Sequence, residues 1–401
     1  MKRNVLILCL LTFVIVMAGC GESPKKDLTD RDVLVLIFKN LNGANWPDRS
    51  KANWNSEEPV SKWNGVKVDE NDRVTELRIT VDSVKGIIPA EIGLLTELKT
   101  LAIRGGNRNM EEQPFPASIG DLTNLESLSL YGSIKNETGI IFPPLGNLAK
   151  LTKLDLSGAG KIPEGFGRLA SLKDFEFNGI TGNIPADLGK LTNLERIFIR
   201  GSEFTGSLPS DIGNLKKLTF LLIDKSQFIG GVESLSGELP ESLWNLTELK
   251  TMFLRRVCNG GTLSPKIANL SNITQIDIVE CGLTGEIPKE LYTMTKLKQF
   301  EAYSNKLTGG ISSEIGNMTA METFWVNNNQ LSGTLPAAMG KMTKLKSLKV
   351  ENNQFTGAIP AELANCPLDG VFVDFTKNQF SKDLAPALKA HATFAKWKLD
   401  K

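Results

Sequence analysis

Apolar residues recur with a fixed period in the second half of the chain. A short phrase of the form Leu-Thr-Gly-x-Ile-Pro, with small variations, occurs four times, and its copies end 24 residues apart at Pro288, Ser312, Pro336 and Pro360. Between the copies lies a second apolar pattern, Met-x-x-Phe-x-Val-x-x-Asn over residues 321–329 and Leu-x-x-Leu-x-Val-x-x-Asn over residues 345–353. A fixed period of this length predicts a solenoid in which each repeat forms one coil.

The second pattern predicts a short β-strand in each coil. Its apolar residues alternate with variable ones, so one face of the strand is buried. The Asn that ends the pattern, as at Asn329 and Asn353, is expected to be buried and to hydrogen-bond backbone groups of its own coil and the next. Because a single coil cannot bury its apolar face, stability must come from the stacking of neighbouring coils.

The whole repeat, Leu-x-x-Leu-x-Leu-x-x-Asn followed by Gly-x-Ile-Pro, resembles that of the leucine-rich repeat family. The resemblance covers about residues 30–380 and implies an α/β-type repeat solenoid, a right-handed superhelix with a parallel β-sheet on its concave side. It also implies a Trp-rich N-terminal cap and a short helical C-terminal cap. We place the solenoid at residues 76–383 and the two caps at residues 30–75 and 384–401.

The N-terminal cap is suggested by three Trp residues, Trp46, Trp54 and Trp63. Without large apolar side chains at this end, the first coil would expose its apolar edge. The block resembles the cap of plant-type leucine-rich repeat proteins, and more closely that of bacterial proteins with the same Gly-x-Ile-Pro repeats. Plant caps carry two Cys where this chain has Ser61 and Val68, so no cap disulfide is expected. The alternative is that the Trp residues form a platform for sugars.

The repeat is regular near the C-terminus and irregular before it. From Pro240 onward the copies end 24 residues apart, whereas the earlier spacings vary between 20 and 31 residues. Short turns at residues 156–163 and 177–185 leave no space for the Asn position, and we expect local irregularity there. The longest coil holds its extra residues between Phe228 and Ser236, and we expect this loop to lean over one edge of an apolar patch formed by Phe198, Leu222 and Phe253.

Residues 1–19 are predicted to be a signal peptide. Two basic residues precede an apolar run over residues 5–17, which is too short to span a bilayer comfortably. The run ends in Met-Ala-Gly-Cys, which resembles a bacterial lipobox and implies that Cys20 is lipidated. Residues 20–29 then form a polar tether, and we expect a bacterial outer membrane lipoprotein that faces the periplasm or the cell surface. An ordinary signal peptide and an uncleaved anchor are the alternatives.

Composition and motifs argue against catalysis. Lys and Arg number 46 against 45 Asp and Glu, a balance that does not favour nucleic acid as a partner. The sequence holds one histidine, His391, no Cys or His cluster with zinc spacing, and no glycine-rich nucleotide motif. Asp174 and Glu176 leave open a glycosidase carboxylate pair, although charges exposed to water explain them more simply. We expect no enzyme activity, no metal and no cofactor.

The cysteines offer little chemistry. Cys281 occupies a position equivalent to the buried Asn, and Cys258 lies one residue past that position in the preceding coil. A disulfide between these adjacent coils is compatible with the strand spacing in an oxidising compartment. Two small buried residues are the simpler interpretation. Cys366 is expected to be buried on the convex side.

One row of side chains should face outward from the concave side. The middle positions of successive strands are Arg78, Ala102, Ser129, Asp155, Glu176, Phe198, Leu222, Phe253, Asp277, Glu301, Trp325, Lys349 and Asp374. Most of them are polar, as expected of an exposed sheet face.

Three consecutive members of this row are apolar, and they predict a binding site. With their neighbours they form a candidate ligand patch of Phe198, Leu222, Phe253, Phe220, Arg196, Arg200 and Arg255. Aromatic side chains rimmed by Arg are typical of binding hot spots, although high strand propensity explains Phe and Leu as well. Tyr303 and Trp325 form a competing candidate site.

These observations predict a non-catalytic, lipid-anchored extracytoplasmic protein that recognises a protein ligand, for adhesion or recognition, through the concave face of its repeats. The expected partners are a protein and, through the N-terminal lipid, a membrane; we expect a monomer and no nucleic acid. The alternative is a surface protein that captures glycans or peptides for nutrient uptake, with exposed aromatic residues as sugar platforms. Both remain open because one scaffold of this type holds many different ligands.

Overall fold

The repeats fold into a stack of coils joined by one long β-sheet. The computed structural model describes residues 28–81, 86–105, 115–131, 143–163, 165–201, 203–225 and 237–400. The predicted signal peptide, Cys20, most of the tether and the loop between Phe228 and Ser236 lie outside these residues. Across the described part of the chain, no helix is both long enough and apolar enough to cross a membrane.

Each coil contributes a strand, and some coils add a second short strand at the following corner. The strands are, in chain order, β1 (Val66–Val68), β2 (Val74–Val81), β3 (Thr100–Gly105), β4 (Ser127–Tyr131), β5 (Lys153–Gly160), β6 (Asp174–Asn183), β7 (Arg196–Arg200), β8 (Glu203–Thr205), β9 (Phe220–Asp224), β10 (Thr251–Arg255), β11 (Gln275–Val279), β12 (Gln299–Glu301), β13 (Thr323–Trp325), β14 (Ser332–Thr334), β15 (Ser347–Lys349), β16 (Gln354–Gly357), β17 (Val373–Asp374) and β18 (Gln379–Phe380).

The main sheet has the order β1-β2-β3-β4-β5-β6-β7-β9-β10-β11-β12-β13-β15-β17, and β8 pairs with β6. Strands β1 and β2 pair antiparallel in the N-terminal cap, and the later strands pair parallel, coil after coil. A smaller parallel sheet, β14-β16-β18, lines the corner that follows the main strands. The predicted solenoid with a long parallel sheet is thus confirmed.

The predicted row of middle positions is present in the sheet. Starting at Arg78 and ending at Asp374, each residue of that row is the register partner of the next. Residues on either side of a middle position point into the core, as Ile276 and Ile278 do on either side of Asp277. We call the thirteen partners the middle row, and the side of the sheet on which they lie the outer face.

Opposite the sheet, short 3-10 helices close the coils. They begin just after the Gly-x-Ile-Pro phrases because Pro and the preceding extended residue end the strand-like segment. In this part of the chain they are Ala90–Leu94, Ala117–Asp121, Phe166–Arg168, Leu188–Lys190, Ile212–Asn214, Glu241–Asn245, Pro265–Asn269, Lys289–Thr293, Ser313–Asn317, Ala337–Lys341 and Ala361–Asn365. Each places an apolar side chain in the core, so the core is continuous from coil to coil.

The buried Asn residues bind neighbouring coils together as predicted. The Asn353 side-chain oxygen accepts a hydrogen bond from the Leu331 amide, and its NH2 group donates to the carbonyls of Val326 and Val350. Asn305, Asn329 and Asn378 make the same kind of contacts. Asn353 is buried as predicted, with 9% of its surface exposed. Asn329 is only half-buried and is therefore more exposed than predicted.

The residue before each of these positions adopts a left-handed backbone conformation. It has φ between 53° and 56° at Arg256, Glu280, Ser304, Asn328, Asn352 and Lys377. This conformation is uncommon for residues other than glycine and is best tolerated by Asn. The turn therefore carries backbone strain, which the hydrogen bonds of the following residue offset.

Cys281 fills the Asn position of its coil, as predicted. Its thiol donates to the Leu254 carbonyl at 3.8 Å, the contact that Asn305 makes with Ile278 one coil later. Cys258, Cys281 and Cys366 are free and buried. A hydrogen bond with Cys281, together with burial, raises the pKa of the Cys258 thiol, so these two thiols are neighbours in the core.

The expected irregularity in the early coils is present. The register between β5 and β6 shifts between Ser157 and Gly160, where the strands continue around the corner instead of turning at a buried Asn. Strand β6 accordingly runs from Asp174 to Asn183. The solenoid is not interrupted there, because the buried leucines of these coils belong to the same core.

The N-terminal cap packs its Trp side chains against one another and against Phe38, in the core that continues into the coils. It contains helix α1 (Asp30–Asn40) and the 3-10 helices Gly43–Asn45 and Val60–Lys62. Trp46, Trp54 and Trp63 are 2%, 6% and 2% exposed, and their indole N–H groups donate to backbone carbonyls. Buried rings cannot stack on sugars, so the sugar-platform alternative for this cluster is wrong.

The C-terminal end is closed by turns and one short helix. Helix α2 (Pro386–Lys389) packs against the 3-10 helix Ala361–Asn365, and the 3-10 helices Gly370–Phe372 and Phe394–Lys396 pack against each other. Leu388 and Trp397 pack in the core. His391 has a structural role in this cap, because its Nε2 atom forms a hydrogen bond with the Cys366 carbonyl at 2.9 Å.

Candidate ligand-binding face

The apolar part of the candidate patch is formed by three adjacent strands. Phe198 on β7, Leu222 on β9 and Phe253 on β10 are register partners in the middle row. Phe198 and Phe253 are half-buried, and Leu222 is 7% exposed because its neighbours cover it. None of the three belongs to the core cluster. Phe220 meets Phe253 edge to face, with ring centroids 6.2 Å apart.

Two arginines hold the rings of the patch. The Arg196 guanidinium lies 5.1 Å from the Phe198 ring centroid and 5.4 Å from that of Phe220, and the Arg200 guanidinium lies 4.6 Å from the Phe198 ring centroid. Arg196 also donates to Asp174 at 2.8 Å and to Glu176 at 3.3 Å. Cation–π contacts and ion pairs together fix these long side chains, so the patch is ordered before a ligand arrives.

A cavity of about 140 Å³ opens beside the apolar residues. Arg200, Leu222, Asp224, Phe253 and Arg255 line it. The Arg200 Nε–H is buried and, within the described residues, has no hydrogen-bond partner. A buried donor without a partner costs about 1–3 kcal/mol. The cavity therefore offers an unused hydrogen-bond donor next to an apolar wall, a typical arrangement of a small binding pocket.

The middle row is less exposed than predicted. Asp277 is fully buried, and Ala102, Ser129, Asp155, Leu222, Glu301 and Asp374 are each less than 9% exposed. The expectation of a uniformly exposed row is wrong because side chains on strands about 4.8 Å apart cover one another. Burial of acidic side chains on this face changes how readily they ionise, whereas exposure to water would leave this property unchanged.

Asp277 and Glu301 form a buried carboxyl pair beside the patch. They are register partners on β11 and β12. The Arg255 Nε–H donates a hydrogen bond to Asp277 Oδ2 at 3.0 Å. Burial raises the pKa of Asp277. Burial, reinforced by the negative charge of Asp277, raises the pKa of Glu301 to about 7.

The competing aromatic site is separate from the patch. Trp325 follows Phe253 by three strands in the middle row, with Asp277 and Glu301 between them. The Tyr303 and Trp325 ring centroids are 6.2 Å apart, and the Lys349 ammonium lies 3.9 Å from the Trp325 ring centroid. A lysine thus already occupies one face of Trp325.

The remaining chemical candidates are the Asp174 and Glu176 carboxylates and possible metal ligands. Asp174 and Glu176 share the Arg196 guanidinium, which holds them as an ion-pair network. Within the described residues, no group of three or more His, Cys, Asp or Glu could hold a metal ion.

Sequence reasoning did not identify Asp224, which lines the cavity beside Phe253. It placed Asp155, Asp277 and Glu301 in the outward row as solvated polar positions, whereas all three are buried. The signal was the order of the middle row, in which two acids precede and two acids follow the apolar run. Their burial could not be inferred, because it depends on how closely the neighbouring side chains cover them.

Known families and structures agree with the repeat fold. The family model described as Leucine Rich Repeat matches residues 344–366. The chain matches none of the curated proteins.

Two plant receptors share the fold over most of this chain. The plant peptide hormone receptor RGFR1, in complex with RGF2, is 27% identical over 82% of this chain and 55% of its own, with a TM-score of 0.69. The Arabidopsis receptor kinase HAESA, in complex with the peptide hormone IDA and the co-receptor SERK1, is 28% identical over 88% of this chain and 58% of its own, also with a TM-score of 0.69. The chain thus spans less than two thirds of the length of these receptor chains.

A bacterial structure has the same fold at lower identity. A leucine-rich repeat protein of Leptospira interrogans is 21% identical over 82% of this chain and 85% of its own, with a TM-score of 0.58. The repeat match and the shared fold indicate a leucine-rich repeat solenoid.

Proposed function

We propose that this leucine-rich repeat protein recognises a protein or peptide ligand through the outer face of its sheet and catalyses no reaction. The observation that carries the proposal is the run of Phe198, Leu222 and Phe253 in the middle row, which lies outside the core and is rimmed by arginines. An apolar run on an otherwise polar sheet face is typical of a binding hot spot. In RGFR1 and HAESA, the fold is found with bound peptide hormones, which supports a peptide or protein ligand.

Glycan capture is the second candidate, and one observation weighs against it. Sugar platforms need an open aromatic face, but Lys349 covers one face of Trp325, and the Trp325 indole N–H donates to the Ser347 hydroxyl at 2.6 Å. A protein array and a glycan array, both probed with the same tagged chain, separate the two candidates.

The patch is tested by substitution. Phe198→Ala and Phe253→Ala are each expected to weaken binding of a captured ligand by roughly 2 kcal/mol, and Arg255→Ala by a similar amount. Thermal unfolding of the two Phe variants should change little, because these rings lie outside the core, whereas Arg255→Ala also removes the partner of the buried Asp277 and should lower stability. Trp325→Ala is the matched control. Loss of binding in Trp325→Ala with none in the two Phe variants would move the site to the competing aromatic pair.

We further propose that the chain is a bacterial outer membrane lipoprotein anchored through Cys20. The support is the lipobox-like sequence before this residue. Several acyl chains hold a protein on a bilayer far more firmly than one chain does. Cys20→Ser should therefore release the protein from the membrane fraction, and a variant that still pelleted after a carbonate wash would contradict the anchor.

A further inference from the structure

The middle row places two acid pairs symmetrically about the apolar run. In strand order it reads Asp155 and Glu176, then Phe198, Leu222 and Phe253, then Asp277 and Glu301, and each residue is the register partner of the next. All seven side chains lie on the outer face. The row therefore has an apolar centre with an acidic position pair at each end.

The first acid pair has an unused carboxylate oxygen. Asp155 is 5% exposed, and its Oδ2 accepts hydrogen bonds from the Tyr131 hydroxyl at 2.8 Å, from Ser129 at 3.3 Å and from Arg104 at 3.2 Å. Its Oδ1 is buried and has no partner in the part of the chain that the structure describes. The neighbouring Glu176 shares Arg196 with Asp174.

The second acid pair repeats this arrangement. Asp277 is fully buried, and Arg255 binds its Oδ2 while its Oδ1 finds no partner among the described residues. Glu301 is 5% exposed and accepts a hydrogen bond from the Gln299 side chain at 2.8 Å. Glu301 makes no ion pair within the described ranges, so the Arg255 guanidinium is the cation bound to this pair of carboxyl groups.

Unpaired buried carboxylate oxygens are costly and favour an incoming cation. A buried acceptor without a partner destabilises the structure, and more so when it is charged. A Lys or Arg side chain from a ligand would supply the missing donor at each Asp, and at the second pair it would also supply a positive charge for Glu301. Its long apolar stem can pass over the half-buried Phe rings to reach the acids.

We infer that the outer face binds an extended polypeptide segment that crosses the strands, with an apolar centre over Phe198, Leu222 and Phe253 and a Lys or Arg at each end. This inference rests on the proposed function and names the ligand class. Glu176 and Asp277 are four strand steps apart, or about 19 Å, and Asp155 and Glu301 are six steps apart, or about 29 Å. At about 3.3 Å per extended residue, the two basic residues lie about six to nine positions apart.

Protons compete with the basic ligand at the second acid pair. The pKa of Glu301 is about 7 because of burial first and the charge of Asp277 second, while Arg255 and Lys349 act in the opposite direction. A bound cation favours the ionised carboxylate, so binding weakens as pH falls through 7. We expect the affinity of the wild-type chain for a basic ligand to be about five- to tenfold lower at pH 6 than at pH 8. In Glu301→Gln, this loss of affinity should be absent.

A random dodecapeptide display library, selected on the immobilised full chain at pH 8, tests the inference. Enriched peptides should carry basic residues about six to nine positions apart with apolar residues between them. The double variant Asp277→Asn with Glu301→Gln should remove the preference for a basic residue at one end, and Asp155→Asn with Glu176→Gln at the other. If either double variant fails to fold, the pH dependence of the wild-type chain with an enriched synthetic peptide decides instead.

The outcomes separate this inference from the proposed function. Enriched peptides that lack the basic pair, or that bind equally at pH 6 and pH 8, would overturn the inference, and the proposed function would stand if Phe198→Ala still abolished their binding. Enriched peptides indifferent to Phe198→Ala and Phe253→Ala would overturn the proposed function. A selection that enriches no peptide would overturn the inference, and the proposed function would then stand or fall on whether Phe198→Ala weakens binding of a protein captured on the array.

Discussion

At the scale of single residues, two kinds of polar side chain are buried, and they have opposite effects on the coil stack. The Asn side chains use all of their hydrogen-bonding groups on backbone amides and carbonyls. The acids of the middle row leave Oδ1 of Asp155 and of Asp277 without a partner in the described part of the molecule. The first kind stabilises the fold, whereas the second kind stores free energy that a ligand can release.

Asn353→Ala is expected to lower the free energy of unfolding by roughly 1–3 kcal/mol. The substitution leaves the Leu331 amide and the Val326 and Val350 carbonyls without their partner in a buried turn. Lys349→Ala is the matched control on the outer face. It loses one cation–π contact with Trp325 and should cost at most about 1 kcal/mol. Equal losses in urea unfolding would contradict the assignment of inward and outward positions.

Glu301→Gln is expected to stabilise the protein at alkaline pH. Because the pKa of Glu301 rises from 4.5 to about 7 on folding, the folded state holds more protons than the unfolded state between these values. Stability from this group is therefore fully present below pH 4.5 and is lost as pH rises through 7. The amide keeps the acceptor for Gln299 and removes the charge.

Thermal unfolding of wild type and Glu301→Gln at pH 5 and pH 8 measures this effect. The variant should gain on the order of 1–2 kcal/mol over wild type between the two pH values. The exposed Glu126 provides the control, since Glu126→Gln should show no such gain. A constant difference between Glu301→Gln and wild type would show that the carboxyl is not titrating in this range.

At the scale of elements, alternation along each strand was enough to predict the fold and the outer face. Every strand has apolar residues on both sides of its middle position, and these fix the register because a slip of one residue would bury the charges. The members of the middle row from Arg78 to Asp374 could therefore be predicted correctly from sequence.

Alternation does not predict the backbone conformation of the turns after the strands. It also does not predict how far neighbouring side chains bury the residues of the middle row. The left-handed residues Arg256, Glu280 and Lys377 have no sequence signal, because their conformation is imposed by the buried residue that follows each of them. The pairing of Arg255 with Asp277 depends on which rotamers fit between strands. Alternation predicts which side of the sheet a residue faces, but it does not predict which side chains that residue contacts.

Ser304→Gly is expected to raise the free energy of unfolding by about 0.5–1 kcal/mol. Ser304 has φ 56°, and glycine adopts this conformation without the steric cost of a Cβ. Ser313→Gly, at an exposed position of a 3-10 helix, is the control and should destabilise by a similar amount through added freedom of the unfolded chain. Urea unfolding of the two variants compares them. Destabilisation by both would show that the Ser304 turn is not strained.

At the scale of the whole molecule, stability passes from coil to coil. Each coil contacts its sequence neighbours through the sheet and the core, so the caps protect the end coils and only indirectly the distant ones. Trp63 is 2% exposed, and its ring centroid lies 5.2 Å from that of Trp54. The N-terminal cap is therefore the place where damage should affect the first coils most.

Trp63→Ala is expected to cost about 3–5 kcal/mol in the cap, because it leaves a large cavity. Hydrogen exchange should then accelerate in residues 76–105, while residues 283–360 keep their protection. Phe372→Ala is the control, since Phe372 is 44% exposed and should change exchange little. Uniform acceleration along the chain would instead show that the solenoid unfolds as one cooperative unit.

The parallel register also affects how this protein can evolve. Each coil adds one position to the middle row, so distances on the outer face are counted in coils and not in residues. Duplication or loss of one coil between the two acid pairs would change their separation by one strand spacing, about 4.8 Å. Such an event reproduces the same buried leucines and disturbs no packing, yet it changes the length of segment that fits. A single recombination within the gene can thereby alter ligand length independently of ligand charge.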